Sequence, residues 1–449
     1  MTESSSEPLR KPTPADAGTV SAIGPVRRIG RGLIRGGVLV APFVIFASLP
    51  PFHTGIWYKS EPVIAALHGV AALTAIGLAL AVAGGDRTAA RALWHPFVLL
   101  PFALALWGLV TAGMAAVPMM SWFGTPEFGQ GIAWHLDLAI LVVGAMVAVK
   151  ERRTRRLLAW ACGLSIAAVT ATMVHTDKDW FLAPFLFYDS LAFYGIFGAA
   201  VLLAVIARGP GMLVVVVLGF ALLVIVISGN RTAILLAATA PFVATACWWL
   251  TKYVSHAARP VIALVALIAP VLVTAVIVFS NLVANEASLW SRDLHLTVAR
   301  QALIHNPFDL IWGNGWGNYA ERQLAYLPVG EFDVVGAGGS GPEWDAARGQ
   351  IHFQSHNFLV EALLSGGLVA MALTWAMVAA LPLFCRRRHI ILGGTLAIVA
   401  ASLFAVWAPD ARAVAFIALA FGSLADPTAR VPGFASARRW PAVALSLVA

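Results

Sequence analysis

The sequence predicts an all-α polytopic membrane protein with about twelve transmembrane helices. Three observations predict it: 60% of the 449 residues are hydrophobic, only 12% are charged, and the mean hydropathy is +0.82. A soluble protein carries about 25% charged residues, so the composition excludes an ordinary soluble protein. The chain has 30 Lys and Arg against 22 Asp and Glu. This basic excess follows a membrane topology, so nucleic-acid binding is not expected.

Apolar runs long enough to cross a bilayer recur along the whole chain. A spanning helix needs about 20 mostly apolar residues. The first run is interrupted by Pro42, Pro50 and Pro51, the fourth carries Asp137, and the last is short. The twelve candidates begin near residues 33, 62, 97, 134, 157, 190, 211, 232, 261, 357, 390 and 411.

The distribution of positive charge sets the expected orientation, because cytoplasmic loops collect Lys and Arg. With the N-terminus inside, strict alternation over twelve spans places 22 of the 30 basic residues on the cytoplasmic side. Both termini are then cytoplasmic, and the membrane is expected to be a bacterial inner membrane. The remaining basic residues fall outside: Lys59, Lys178, Arg231, Arg292, Arg300, Arg322, Arg348 and Arg412.

This topology divides the chain into five parts. They are a disordered cytoplasmic tail at 1–32, nine helices over 33–283, a large periplasmic loop at 284–356, three helices over 357–425 and a cytoplasmic tail at 426–449. A loop this long is usually functional. Residues 283–323 are expected to form amphipathic helices, whereas VGAGGSGPE at 335–343 is typical of a flexible stretch.

Histidines gather on the exterior side, which predicts a polar vestibule there. Taken singly, each of them is better explained as an interfacial side chain satisfied by water. The eight are His53, His68, His135, His175, His295, His305, His352 and His356. The three cysteines, in contrast, lie in or beside apolar runs, so no disulfide is expected.

Arg231 lies in the short exterior turn SGNRTA, where neither hydropathy nor the positive-inside bias favours a cation. One interpretation is an arginine that extends to the lipid headgroups. The functional interpretation is a guanidinium that binds a phosphate group in bidentate fashion.

The segment SHNFLVEALLSGGL joins the large loop to the tenth span. Ser355 or Asn357 is a plausible N-cap, and Glu361 lies about one turn beyond His356. A neutral imidazole can take a proton from a hydroxyl, and a nearby carboxylate orients it. Simple capping of a membrane helix is the alternative interpretation.

These motifs together resemble the O-antigen ligase and polymerase superfamily, whose members have about twelve spans and a large periplasmic loop late in the chain. Members often carry Trp where this chain has Leu296, and DLIW lengthens the stretch before GNGWGNY. Arg300 is therefore a second candidate for the arginine of the loop. The matching residues are Ser228 and Arg231 in the turn, Arg292, Pro307 and Gly313 in the loop, and His356, Asn357, Leu359, Glu361 and Gly366 after it.

The resemblance implies a fold like that of GT-C glycosyltransferases and a transfer of preassembled glycan from undecaprenyl diphosphate to an acceptor hydroxyl of lipid A-core. In that chemistry His356 is the catalytic base, and Arg231 with Arg292 or Arg300 binds the diphosphate. Glu361 and Asn357 support the base. The reaction is expected to invert the anomeric centre and to need no metal or cofactor.

Three alternatives stay open at the level of sequence. A polymerase of the same superfamily uses the same donor and the same motif residues, but extends another glycan. A twelve-span transporter or flippase of lipid-linked glycan belongs to another class, and such proteins show repeated halves and ionisable groups near the bilayer midplane. A non-catalytic membrane scaffold is the third.

Overall fold

The computed structural model describes residues 14–48, 60–125, 129–175, 188–205, 212–254, 257–284, 287–326, 355 and 357–429. Within these ranges the secondary structure is helical, and the all-α prediction is confirmed. Two 3-10 helices, Ala41–Ser48 and Arg387–His389, accompany the α-helices. The α-helices are α1 Pro14–Val40, α2 Ser60–Ala83, α3 Arg87–Ala92, α4 Pro96–Ala112, α5 Pro118–Phe123, α6 Ile132–Ala148, α7 Arg152–His175, α8 Tyr188–Val205, α9 Met212–Ile227, α10 Arg231–Tyr253, α11 Ala258–Ala284, α12 Ala287–His305, α13 Asp309–Trp312, α14 Tyr319–Tyr326, α15 Phe358–Phe384, α16 Ile390–Phe404 and α17 Ala411–Leu424.

Seven helical segments among the described residues are long and apolar enough to cross a membrane. They are Gly24–Ser48, Glu61–Ala83, Arg152–Met173, Arg231–Tyr253, Ala258–Val276, Phe358–Phe384 and Arg387–Phe404. Five apolar helices of 10–17 residues lie at the other predicted positions: Pro96–Ala112, Ile132–Ala148, Ser190–Val205, Leu218–Ile227 and Ala411–Leu424. This set of apolar helices indicates an integral multi-pass membrane protein.

The first helix begins earlier than the sequence predicted. It starts at Pro14 and not near residue 33, so residues 14–32, expected in a disordered tail, are helical. Arg31 Nε donates to Asp86 Oδ2 at 2.6 Å, and Arg35 forms an ion pair with Glu151. Because carboxylates of two loops neutralise these arginines, the helix extends through a basic segment.

The last helix, α17, lies at the centre of the bundle, where it packs against α6 and α8. All of its residues are buried. Small side chains allow this close packing: a Cβ added at Gly422 would lie 2.5 Å from the Ala145 Cβ. In contrast, α10 and α11 expose apolar surface, with Phe242 76% and Phe279 68% exposed. These two helices are the least buried of the seven long apolar segments.

The loops separate into two groups at opposite ends of the bundle. At one end, Arg259 Nη1 donates to the Leu383 carbonyl at 2.7 Å, and the Arg386 amide donates to the Leu424 carbonyl at 2.9 Å. We call this the basic end; its segments are 84–95, 149–151, 254, 257–259, 384–389 and 425–429. The opposite end, here the site end, comprises 113–125, 129–131, 228–230, 306–318, 355, 357–367 and 405–410.

Contacts across the site end join segments that are distant in sequence. Asn318 Nδ2 donates to Ser121 Oγ at 3.3 Å, which links the loop after α13 to α5. Ser190 Oγ donates to Asp410 Oδ2 at 2.7 Å, which links α8 to the start of α17. The alternation of loops between the two ends is the pattern that a multi-pass topology requires.

Candidate functional site

Helix α15 is broken at a pair of glycines on the site end. Gly366 has φ −141°, and Gly367 has φ +65° and ψ −165°, a conformation that is essentially restricted to glycine. A Cβ at Gly367 would lie 2.1 Å from the Ile311 carbonyl oxygen. The break therefore separates residues 358–365 from the rest of α15 and lets α13 pack directly against the backbone.

The backbone carbonyls at this break receive donors from distant segments. An unpaired backbone group is costly where water is excluded, so these partners stabilise the broken helix. The Trp107 ring also stacks on the Trp312 ring, with centroids 5.4 Å apart. The Asn314 amide donates to the Leu364 carbonyl at 2.8 Å, and the Gly315 amide donates to the Ser365 carbonyl at 2.9 Å. Trp107 Nε1 donates to the Gly366 carbonyl at 2.6 Å.

Glu361 lies in the first turn of α15 with only 2% of its surface exposed. Its Oε2 accepts the Ser355 amide at 2.8 Å, and Ser355 Oγ donates to the Asn357 carbonyl at 2.8 Å. Asn357 is the N-cap: its Oδ1 accepts the amides of Leu359 and Val360 at 3.0 and 3.1 Å. The prediction that Ser355 or Asn357 caps this helix is thus confirmed for Asn357. The chain is fixed on both sides of position 356.

Helices α12 and α14 pack on the short segment that carries Glu361. Their apolar contact surface joins Val298 and Tyr319 to Leu364, which confirms the predicted amphipathic helices. His295 Nδ1 lies 2.5 Å from the Tyr319 hydroxyl. Burial raises the pKa of Tyr319 well above its ordinary value, and the charge of Glu361 adds to this effect. The Tyr319 side chain is therefore electrostatically coupled to the Glu361 carboxylate.

The predicted arginines lie on other helices. Arg231 is the first residue of α10 and is exposed, after an N-cap at Asn230 whose Oδ1 accepts the Ala233 amide at 2.8 Å. Arg300 is exposed on α12. His356 and the side chain of Arg292 lie outside the described residues. Ser355 thus connects two of the predicted residues, because its amide donates to Glu361 and its hydroxyl donates to the Asn357 carbonyl. Arg231 and Arg300 lie on other helices, α10 and α12.

Two polar pairs at the site end, one partly buried and one completely buried, were missed by sequence reasoning. His68 Nδ1 contacts Asp137 Oδ2 between α2 and α6. Asp410 Oδ2 pairs with Arg412 Nη1 at 2.9 Å, and both side chains are completely buried. Arg412, expected among the exterior loop cations, is inside the bundle because Asp410 compensates its charge. The sequence did contain a signal for these pairs: Asp137 lies within an apolar run and Asp410 lies beside one. A carboxylate in such a position needs a partner.

A buried aromatic cluster lies beside these pairs. The His135 ring is 4.9 Å from the Trp134 ring and 4.6 Å from the Trp316 ring. Within the described part of the chain, His135 Nδ1 and the indole nitrogens of both tryptophans have no hydrogen-bond partner. His68, His135 and His295 thus lie at the site end, while His305 is exposed on α12. His53, His352, His356 and the side chain of His175 lie outside the described residues.

Comparison with known proteins adds no assignment. No protein-family model matches the chain, and no curated protein or solved structure matches it. The resemblance to the O-antigen ligase and polymerase superfamily stays a prediction based on the motif residues.

Proposed function

We propose that the protein is a membrane glycosyltransferase of the O-antigen ligase type. It transfers a preassembled glycan from undecaprenyl diphosphate to an acceptor hydroxyl of lipid A-core. The observation that supports this proposal is the buried Glu361 carboxylate, which accepts the amide of Ser355, the residue directly before His356. A carboxylate held near the chain position of a histidine can orient the imidazole of a general base.

In the proposed reaction, His356 accepts the proton of the acceptor hydroxyl as the oxygen attacks the anomeric carbon. The bond from that carbon to the diphosphate breaks on the opposite face, so the configuration inverts. Arg231, with Arg292 or Arg300, neutralises the charge that develops on the departing diphosphate. Glu361 orients the imidazole, and Asn357 fixes the start of the helix that carries the carboxylate.

The proposed topology has twelve spans, made of the seven long apolar segments and the five shorter helices. The basic end, which carries Lys150, Arg259 and Arg386, faces the cytoplasm because positive charge is retained there. Both termini are then cytoplasmic, and the site end faces the periplasm of a bacterial inner membrane. Nucleotide sugars are not available on the periplasmic side, so the lipid diphosphate is the activated donor that reaches the acceptor there.

A transporter or flippase of lipid-linked glycan is the second candidate. The partly buried His68–Asp137 pair and the buried Asp410–Arg412 pair favour it, because ionisable groups inside a helix bundle often mark a transport pathway. A polymerase of the same superfamily shares the donor and the motif residues with the ligase. It differs only in the acceptor, which is another glycan.

The decisive experiment mixes the purified protein in detergent with lipid diphosphate glycan and lipid A-core. Because no compartments exist in detergent, a glycosyltransferase forms product and a transporter forms none. His356→Ala is expected to abolish transfer. The matched control is His305→Ala, since His305 is exposed in the same loop and its Nδ1 contacts the Gln301 carbonyl of its own helix. An active His356→Ala variant would remove the proposed base.

The same variants in a deletion strain distinguish the two transferases. Surface glycans are separated on a gel after complementation. Lipid A-core without glycan, together with accumulated polymer on its lipid carrier, identifies a ligase. Single repeat units without long chains identify a polymerase. Normal glycans in the deletion strain itself would refute both assignments.

A further inference from the structure

The basic end contains a small, open cavity of about 40 Å³ that the proposed glycan transfer does not use. It lies between α1, the start of α3 and the turn that joins α6 to α7. Three cationic side chains and one carboxylate line it: Arg31, Arg35 and Lys150 with Glu151. Thr88 adds a hydroxyl, and Ile34 and Val147 form an apolar part of the wall.

The charges around the cavity are not balanced by the carboxylates present. Arg31 donates to Asp86 and Arg35 pairs with Glu151, whereas Lys150 forms no ion pair within the described residues. Partial burial lowers the pKa of Lys150, and the nearby charge of Arg386 lowers it further, against an opposing effect of Asp86. Lys150 therefore lies in a region of positive potential that an anion would relieve.

Asp86 is not free to compensate Lys150. Burial alone would raise its pKa, but hydrogen bonds from Arg31 and from the amides of Thr88 and Ala89 hold the pKa below its ordinary value. These amide bonds, at 2.9 and 3.3 Å, make Asp86 the N-cap of α3. The carboxylate is thus engaged by Arg31 and by the start of α3, and among the described residues it offsets the charge of Lys150 only in part.

We propose that this cavity binds the phosphate group of an anionic ligand, with Lys150 as the principal cation and Arg35 and Thr88 as further donors. Lys is an effective point charge for phosphate, and Arg forms charge-assisted bonds to it. Two sources carry this chemistry: the headgroup of an anionic phospholipid and a soluble phosphate. The cavity is of a size for the phosphate group alone, and in a phospholipid the glycerol and acyl chains would lie outside it, past the apolar wall at Ile34 and Val147.

The test uses the full-length protein in a neutral detergent. Native mass spectrometry counts the bound copies of short-chain phosphatidylglycerol, with short-chain phosphatidylcholine as the zwitterionic reference. Lys150→Gln is expected to weaken phosphatidylglycerol binding about tenfold, since one charge-assisted contact is lost. Arg153→Gln is the matched control because it removes one charge from an exposed position on α7 at the same end and does not line the cavity.

Competition with inorganic phosphate identifies the source of the ligand. Displacement of the lipid by phosphate supports a site for soluble phosphate, and retention of the lipid supports a headgroup site. The proposal is overturned if phosphatidylcholine binds as tightly as phosphatidylglycerol. It is equally overturned if Lys150→Gln binds like the unmodified protein, or if Arg153→Gln weakens binding as much as Lys150→Gln does.

Discussion

Replacing Gly367 by alanine is expected to separate the segment 306–318 from α15. The new Cβ would lie 2.1 Å from the Ile311 carbonyl oxygen and 2.8 Å from the Trp312 amide nitrogen. Both atoms belong to the backbone, so no side-chain rotation relieves the contact. Real Cβ contacts essentially never fall below 3.0 Å, and α13 must therefore move by about 1 Å.

The magnitude follows from two contributions. The backbone conformation of Gly367 costs a residue with a side chain about 1–3 kcal/mol. A shift of α13 also lengthens the bonds from the amides of Asn314 and Gly315 to α15, which are 2.8 and 2.9 Å long. Each such bond contributes about 1 kcal/mol. Gly367→Ala is therefore expected to lower the free energy of unfolding by about 4 kcal/mol.

A thiol-reactive fluorophore measures this loss, because Cys162, Cys247 and Cys385 are buried free thiols that become accessible on unfolding. The Tm of the Gly367→Ala variant is expected to fall clearly below that of the unmodified protein. Gly219→Ala is the control: Gly219 lies in α9 with no atom within 4 Å of an added Cβ, and alanine favours a helix. Equal Tm values for the two variants would refute the role assigned to Gly367.

Two further predictions concern buried ionisable groups. Asp410→Asn removes the carboxylate charge that pairs with the completely buried Arg412 guanidinium. It is expected to lower stability by about 3–5 kcal/mol, and an unchanged Tm in the fluorophore assay would contradict this. Burial lowers the pKa of His95 from 6.5 to about 4. Below about pH 6.5 the unfolded chain therefore binds a proton that the folded protein excludes, and stability falls as the pH decreases toward 4. His95→Asn retains a cap for the Phe97 amide, so its Tm should depend less on pH over that window; parallel Tm curves for the two proteins would disprove the assignment.

The positions of the apolar helices along the chain could be predicted from the sequence because a spanning helix needs a long apolar run. The packing of these helices against one another could not be predicted. The short run of α17 was among the three weakest candidates in the sequence, together with the first and the fourth, yet every residue of this helix is buried. Lipid-facing and core-facing residues are both apolar, so hydropathy does not separate α17 from the exposed α10 and α11.

The helix cap in the candidate site could also be predicted from the sequence. An Asn before an apolar run predicts an N-cap, and Asn357 is one. The polar pairs that link distant helices could not be predicted, because nothing near Asp137 in the sequence indicates that His68 on α2 is its partner. The break at Gly366 and Gly367 escaped prediction for a related reason: its donors come from α4 and from the segment after α13.

The partners of the broken helix leave the ribosome before the helix does. Trp107 is made early in the chain, and Asn314 and Gly315 precede the carbonyls of residues 364–366 by about fifty positions. Synthesis proceeds from the N-terminus, so the donors already exist when these carbonyls emerge. The order of segments thus lets α15 be inserted in its broken form. A circular permutant that begins with α15 would expose the same carbonyls for the time needed to make the rest of the bundle.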